Sequence, residues 1–117
     1  MFENIEVLQQ QIPGFELPES LRKVIGLNLV DYEHWYLIPP ESILKRRNEL
    51  LMRYPNRNLI PFARRDIGDD IACFELNHGE RVFIVHDFAS EGWERRQEFD
   101  NFWAWYISAM KELMEIE

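Results

Sequence analysis

The stretch "LIPFARRDIGDDIACFEL", residues 59–76, decides the fold. Residues 59–63 and 71–76 are rich in aliphatic, aromatic and β-branched side chains, a composition typical of β-strands. Between them lie three aspartates around Gly68, and glycine adopts a positive φ at little cost. The stretch therefore predicts two antiparallel strands joined by an acidic corner, at which Gly68 has a structural role.

Further strands are predicted on both sides of this stretch. Residues 81–88 form a strand pattern and join residues 70–77 through a two-residue turn at His78 and Gly79. A shorter strand is expected at residues 34–38, where aromatic residues precede two prolines. We therefore expect about four strands in one antiparallel sheet.

Apolar residues recur at helical spacing in four segments. These segments are residues 2–12, 17–26, 40–54 and 94–115. Helices that flank a run of strands indicate an α+β fold, because helices then cover an antiparallel sheet. We predict a single domain over residues 1–117, with about four antiparallel strands and with helices packed on one side of the sheet.

The last helix carries the longest apolar stripe. Its members are Phe99, Phe102, Trp103, Tyr106, Met110, Leu113 and Met114, and Trp105 lies off the stripe. We therefore expect Phe99 and Trp103 to be structural residues, with Trp103 buried against the sheet.

The composition is that of a soluble globular chain with many aromatic residues. Of the 117 residues, 46% are hydrophobic, 14% aromatic and 29% charged. The single cysteine excludes an internal disulfide framework. No segment reaches the ~18 apolar residues of a membrane helix, and the N-terminus lacks the basic and apolar regions of a secretory signal. We expect a cytoplasmic protein that does not bind membranes.

Charge is distributed unevenly along the chain. The formal net charge is −8, although residues 41–65 carry seven Lys or Arg and only two Glu. On the helix predicted at residues 40–54, Lys45, Arg46 and Arg53 occupy the outer face, which predicts a solvated basic surface. The acidic remainder repels nucleic acid and attracts basic proteins, so we expect a protein partner and no nucleic-acid partner.

The titratable residues form no recognisable catalytic or metal-binding set. His86 and Asp87 are neighbours on a predicted strand, so they point to opposite faces and cannot form a triad with Cys73. Cys73 and His86 are expected on one face as a diagonal pair, roughly 7–8 Å apart, too far for a nucleophile–base bond. The acidic corner lacks the alternating ligands and the distal glutamate of a calcium loop. We predict no catalytic residue, no metal and no cofactor.

The segment "FASEGWE", residues 88–94, is the remaining surface candidate. A tryptophan in an acidic loop is either a lid packed on the core or an anchor for a protein partner. If this loop lies near the acidic corner, the two form one acidic, partly apolar patch. The predicted partner-binding residues are Asp66, Asp69, Asp70, Glu91, Trp93 and Glu94.

Four stretches resemble the SUKH superfamily, which includes the fungal Smi/Knr-type regulators of cell-wall synthesis and many bacterial relatives. They are "LPESLRKVIGLN" (17–28), "HWYLIPPESILKRRNEL" (34–50), "LIPFARRDIGDDIACFEL" (59–76) and "EFDNFWAWYISAMKEL" (98–113). Trp35 stands where the family has its strand tryptophan, and Pro61 and Gly68 lie in the family's central motif. The long insert that the family often carries before that strand is nearly absent, and Trp93 has no counterpart in the pattern.

The resemblance implies an α+β domain that has no catalytic activity and binds another protein. Bacterial members are similar to immunity proteins, which neutralise a cognate toxin, and fungal members resemble signalling scaffolds. The first hypothesis is therefore an immunity protein that occludes a basic toxin, such as a nuclease. The alternatives are a regulatory interaction module without a toxin partner, and an enzyme that uses Cys73.

Overall fold

The computed structural model describes residues 1–115, which form four helices and five strands. In chain order the elements are α1 (Val7–Gln11), α2 (Glu19–Gly26), β1 (Trp35–Leu37), α3 (Pro40–Arg53), β2 (Leu59–Arg65), β3 (Asp70–Glu75), β4 (Val82–His86), β5 (Arg95–Phe99) and α4 (Phe102–Met114). The predicted α+β fold with an antiparallel sheet is confirmed.

The five strands form one sheet in the order β1-β2-β3-β4-β5, and every neighbouring pair is antiparallel. The stretch at residues 59–76 supplies β2 and β3. At its corner Gly68 has a φ of +100°, so the expected positive φ is confirmed. Pro61 is buried on β2 next to a register shift between residues 61 and 63, where the strand tolerates a residue that lacks an amide hydrogen.

Residues 95–99 form a strand, so the prediction of a helix from residue 94 is wrong. The mostly polar side chains of β5 carry no strand signal of their own, and pairing with β4 determines their conformation. The last helix begins at Phe102, where the side chain of Asn101 accepts a hydrogen bond from the amide of Ala104 at 2.9 Å.

Because α4 begins later in the chain than predicted, the aromatic residue that it buries also differs from the predicted one. Phe102, Trp105 and Ala109 face the sheet, and Trp105 is 1% exposed. Trp103 is 41% exposed, so the prediction that it is buried is wrong. The predicted stripe took its phase from Phe99, which lies on β5 and packs against the core from there.

The pairing of β3 with β4 differs from the prediction by one residue. Cys73 lies opposite Phe83, because the connection spans residues 76–81 and has positive φ at Asn77 and Gly79 but not at His78. We call the side of the sheet that carries Ala72, Phe74, Val82 and Ile84 the first face. The second face carries Ile71, Cys73, Phe83 and Val85.

Helices pack on both faces, not on one side as predicted. The large apolar cluster on the first face includes residues of α1, α2 and α4, and Ile43 of α3. On this side Trp35 is buried, and its Nε1 donates a hydrogen bond to Glu112 of α4 at 2.9 Å. The smaller cluster on the second face includes Leu50 of α3 and Tyr54. Within residues 1–115, no helix has the length and apolar character needed to cross a membrane.

Candidate functional site

Two loops lie side by side where β3 begins and β4 ends. The acidic corner is residues 66–70, and the aromatic loop is residues 87–94. Asp70 pairs with His86 in the sheet, and the amide of Asp87 donates a hydrogen bond to the carbonyl of Asp69 at 2.9 Å. The structure therefore brings together the two segments that the sequence offered as a possible patch.

The exposed side chains of these two loops are acidic or large and apolar. Asp66, Asp69 and Glu91 are exposed to solvent. The apolar side chains Ile67, Phe88 and Trp93 are 84%, 65% and 78% exposed. A folded chain usually buries large aliphatic and aromatic side chains, so the exposure of these three makes the two loops a candidate interaction surface.

Two of the predicted partner-binding residues are held inside the site. The side chain of Asp70 is half-buried, and its carboxylate lies 2.9 Å from Nδ1 of His86. Glu94 is 6% exposed and is bound by other residues of the chain. The surface open to a partner is thus formed by Asp66, Asp69, Glu91 and Trp93, with Ile67 and Phe88 added.

Asp87 holds the start of the aromatic loop. Its carboxylate is 1% exposed and lies 2.6 Å from Nη2 of Arg53 and 3.4 Å from Nη2 of Arg46, both on α3. It also accepts a hydrogen bond from the amide of Phe88 at 2.9 Å, a residue with a φ of +71°. The guanidinium of Arg53 lies 4.3 Å from the centre of the Phe88 ring, a cation–π distance. These contacts fix the backbone of Phe88, whose side chain is exposed.

Glu94 holds the end of the loop. Its carboxylate accepts hydrogen bonds from the amide of Gly92 at 2.7 Å and from Arg57 at 3.0 Å, and Arg57 also binds Glu75 at 2.8 Å. Burial acts to raise the pKa of Glu94, but these hydrogen bonds and the charge of Arg57 outweigh burial and hold the pKa below its usual range. The residues on either side of exposed Trp93 are therefore fixed.

Tyr54 holds the middle of the loop from beneath. Its hydroxyl donates a hydrogen bond to the carbonyl of Ala89 at 2.8 Å. Burial, and then the charges of Asp87 and Glu94, raise the pKa of Tyr54, so this donor keeps its proton. We call the polar and charged side chains that hold the aromatic loop, taken together, the polar frame. Its members are Arg46, Arg53, Tyr54, Arg57, Glu75, Asp87 and Glu94.

Sequence reasoning missed the polar frame. It assigned Arg46 and Arg53 to a solvated face, but their side chains are only 22% and 28% exposed and both bind Asp87, so that prediction is wrong. Helical spacing gave no signal for this role, because Arg57 lies beyond the end of α3 and a helical pattern does not show which distant carboxylate an arginine binds.

The only cysteine has no catalytic geometry. Cys73 is 0% exposed, and burial raises the pKa of its thiol well above the usual value. The corrected strand register places Cys73 on the second face and His86 on the first, so the two do not share a face as predicted. In the described part of the chain, no group of three His, Cys, Asp or Glu side chains is placed to hold a metal ion.

Comparison with known proteins gives one clear match. A model of the SMI1 / KNR4 family (SUKH-1) matches residues 2–108. No curated protein and no solved structure gives a significant match. The matched segment includes every element from α1 to β5, the acidic corner and the aromatic loop. The chain therefore belongs to the SMI1 / KNR4 family (SUKH-1).

Proposed function

We propose that this chain is a non-catalytic protein-binding domain that contacts a basic protein through the acidic corner and the aromatic loop. The observation that carries the proposal is the fixed aromatic loop, which holds Phe88 and Trp93 at 65% and 78% exposure. A loop that is ordered before binding loses little conformational entropy on association. Exposed tryptophan is a frequent hot-spot residue in protein interfaces.

Charge supports a basic partner. The chain has a net charge of −8, and Asp66, Asp69 and Glu91 have no ion-pair partner among residues 1–115. Carboxylates at the rim of an apolar patch attract a positively charged protein over long distances and raise its association rate. The aromatic side chains then supply the contact area that slows dissociation.

Within this class we propose an immunity protein that acts in the cytoplasm, as one domain over residues 1–117. It would neutralise a cognate toxin by covering a basic surface of that toxin, such as a nuclease cleft. Family membership supports this role, and so does the burial of Cys73, which disfavours the enzyme alternative. A regulatory module of the Smi/Knr type would use the same surface to bind a protein of its own cell, and the identity of the partner separates the two.

The test begins with capture of partners by the tagged full chain from the source cells at low salt. Capture of a positively charged toxin supports the immunity role, and capture of a housekeeping protein supports the regulatory alternative. Association and dissociation rates with the purified partner then test the surface. We expect Trp93→Ala to accelerate dissociation about thirtyfold, the change that a hot spot of about 2 kcal/mol predicts.

Charge-reversal variants provide the matched control. Asp66→Lys with Asp69→Lys changes two exposed carboxylates at one end of β3, and both side chains are free of the Asp70–His86 contact. Glu16→Lys with Glu80→Lys makes the same change in net charge near the other end of β3. The first pair should slow association more than the second and weaken its salt dependence. Equal rates for the two double variants would refute the proposed surface.

A further inference from the structure

A polar pocket lies beside the N-terminal half of α3 and is lined by none of the aromatic-loop residues. It has a volume of about 280 Å³ and lies between α3, the edge strand β1 and the neighbouring strand β2. Its lining residues are Tyr36, Ile38, Pro39, Ser42, Lys45, Arg46, Glu49 and Arg64. Three of the four charged side chains in this pocket are cationic, although the whole chain is strongly acidic.

Two of the three cations in this pocket have no ion-pair partner in the described chain, and the third has only a long contact. Lys45 and Arg64 form no ion pair with any residue in the range 1–115. Arg46 reaches Asp87 only at 3.4 Å, and its Nε is buried without a hydrogen-bond partner in the described chain. The single carboxylate in the lining, Glu49, is exposed and makes no ion pair there either.

The position of Arg64 is fixed by the sheet. Arg64 stands opposite Tyr36 in the β1–β2 pairing, and its guanidinium lies 5.5 Å from the centre of the Tyr36 ring. Stacking of this kind holds the planar guanidinium while leaving its N–H groups free to donate. A guanidinium held in this way can donate two parallel hydrogen bonds to a carboxylate or a phosphate.

We propose that this pocket binds an oxyanion, either a free phosphate or a single phosphate or carboxylate group of a small molecule. Like charges that line one pocket repel each other, and a bound anion removes that cost and satisfies the free donors. Ligand pockets for drug-sized molecules usually start at about 300 Å³, so the size of this one favours a single anionic group. The pocket shares Arg46 with the polar frame but contains none of the residues that we propose contact a protein partner.

The start of α3 adds donors to the same pocket. Its N-cap is Pro39, which has no side-chain acceptor, and the first helical hydrogen bond runs from Ile43 to Pro39. The amide of Ser42 therefore has no helical partner, and Ser42 is one of the residues that line the pocket. These groups strengthen a site whose charge comes from Lys45, Arg46 and Arg64.

The experiment titrates the ¹⁵N-labelled full chain with inorganic phosphate and, separately, with acetate, at constant ionic strength. We expect saturable amide shifts confined to residues 36–49 and 64. Arg64→Gln should weaken binding about tenfold, the loss typical for one charge-assisted contact, whereas Glu49→Gln should tighten it. Saturation by phosphate alone would assign a phosphate group, and equal saturation by both would assign a general oxyanion site.

The matched control is Arg96→Gln, which removes from β5 one exposed arginine that forms no ion pair with any of residues 1–115. This variant should bind the anions as the unmodified chain does. Circular dichroism on each variant checks that the fold is retained. Shifts that stay linear with anion concentration, or equal losses in Arg64→Gln and Arg96→Gln, would overturn the proposal.

Discussion

The two faces of the sheet are covered in different ways. On the first face, three helices bury a large cluster of aliphatic and aromatic side chains around Phe62, Phe74 and Trp105. On the second face, a small apolar cluster under α3 gives way to the ion pairs of the polar frame. The first face is organised for stability, and the second holds a loop with exposed aromatic side chains where β3 begins and β4 ends.

This difference shows how one helix can serve both purposes. α3 contributes Ile43 to the cluster of the first face and Leu50 to that of the second. Farther along, Arg53 and the following Tyr54 and Arg57 bind the aromatic loop. Changes on the first face should therefore act mainly on stability. Changes in the polar frame should act on stability and on the aromatic loop together.

The largest effect is expected at Trp105 on the first face. Trp105 is 1% exposed and packs against Phe62, Trp35 and Phe102, so Trp105→Ala should lower the free energy of unfolding by about 3–5 kcal/mol. Trp103→Ala removes the same side chain from a position that is 41% exposed, and should cost about 1 kcal/mol. Urea unfolding measures both, and equal losses would contradict the assignment of the buried face of α4.

The next effect concerns Asp87 in the polar frame. Asp87→Ala leaves Arg46 and Arg53 without their carboxylate, and should cost about 2–3 kcal/mol, since both arginines keep some contact with water. Hydrogen exchange at the amides of residues 88–93 should also accelerate, because the loop loses its first attachment. Faster exchange in the loop would show that Asp87 holds the loop, whereas a loss of stability alone would show only that Asp87 contributes to the packing of the fold.

Asp100 provides the control for Asp87. It is an aspartate whose side chain is 87% exposed and which lies 3.4 Å from Arg81. Asp100→Ala should change stability by less than about 0.5 kcal/mol and leave exchange in the aromatic loop unaltered. If Asp87→Ala behaves in the same way, the loop does not depend on the buried carboxylate.

The sequence predicted the first face better than the second. Apolar spacing located α2, α3 and the central strands, because their apolar side chains form helical stripes or short continuous runs that are visible in the sequence. The polar frame was not predictable by these means, because a helical pattern cannot distinguish a solvated arginine from one that binds a distant carboxylate. Arg53 and Asp87 are 34 residues apart in the chain, and only the folded sheet brings them together.

The candidate site was predicted in part for the same reason. The adjacency of the acidic corner and the aromatic loop follows from the pairing of β3 with β4, which two apolar runs joined by a short turn indicate. The buried position of Glu94 and the exposure of Phe88 depend on β5 and on the polar frame, and neither has a local signal. Mostly polar strands such as β5 take their conformation from the neighbouring strand.

A smaller effect is expected at the acidic corner. A substitution there tests the backbone conformation and not the packing on either face of the sheet. Gly68 has a φ of +100°, and an added Cβ would meet no atom within 4 Å. Gly68→Val should therefore cost about 1–3 kcal/mol through backbone strain alone. Asp69→Asn, at the neighbouring exposed residue, should leave the melting temperature unchanged. Equal stability of the two variants would show that the corner does not require glycine.

The smallest effect is expected from Glu94 and depends on pH. The folded pKa of Glu94 lies below its ordinary value of 4.5, because the hydrogen bonds and charge around it outweigh burial. A carboxylate with a lowered folded pKa stabilises the fold fully above the ordinary pKa and loses that contribution as the pH falls through the folded pKa. Glu94→Gln should thus cost about 1 kcal/mol at pH 7, and its difference from the unmodified chain should shrink as the pH falls below 4.5. Glu91→Gln, an exposed neighbour on the same loop, should show no such change between pH 7 and pH 3. Urea unfolding at a series of pH values measures the difference, and a cost of Glu94→Gln that stays constant with pH would mean that the Arg57–Glu94 ion pair does not stabilise the second face.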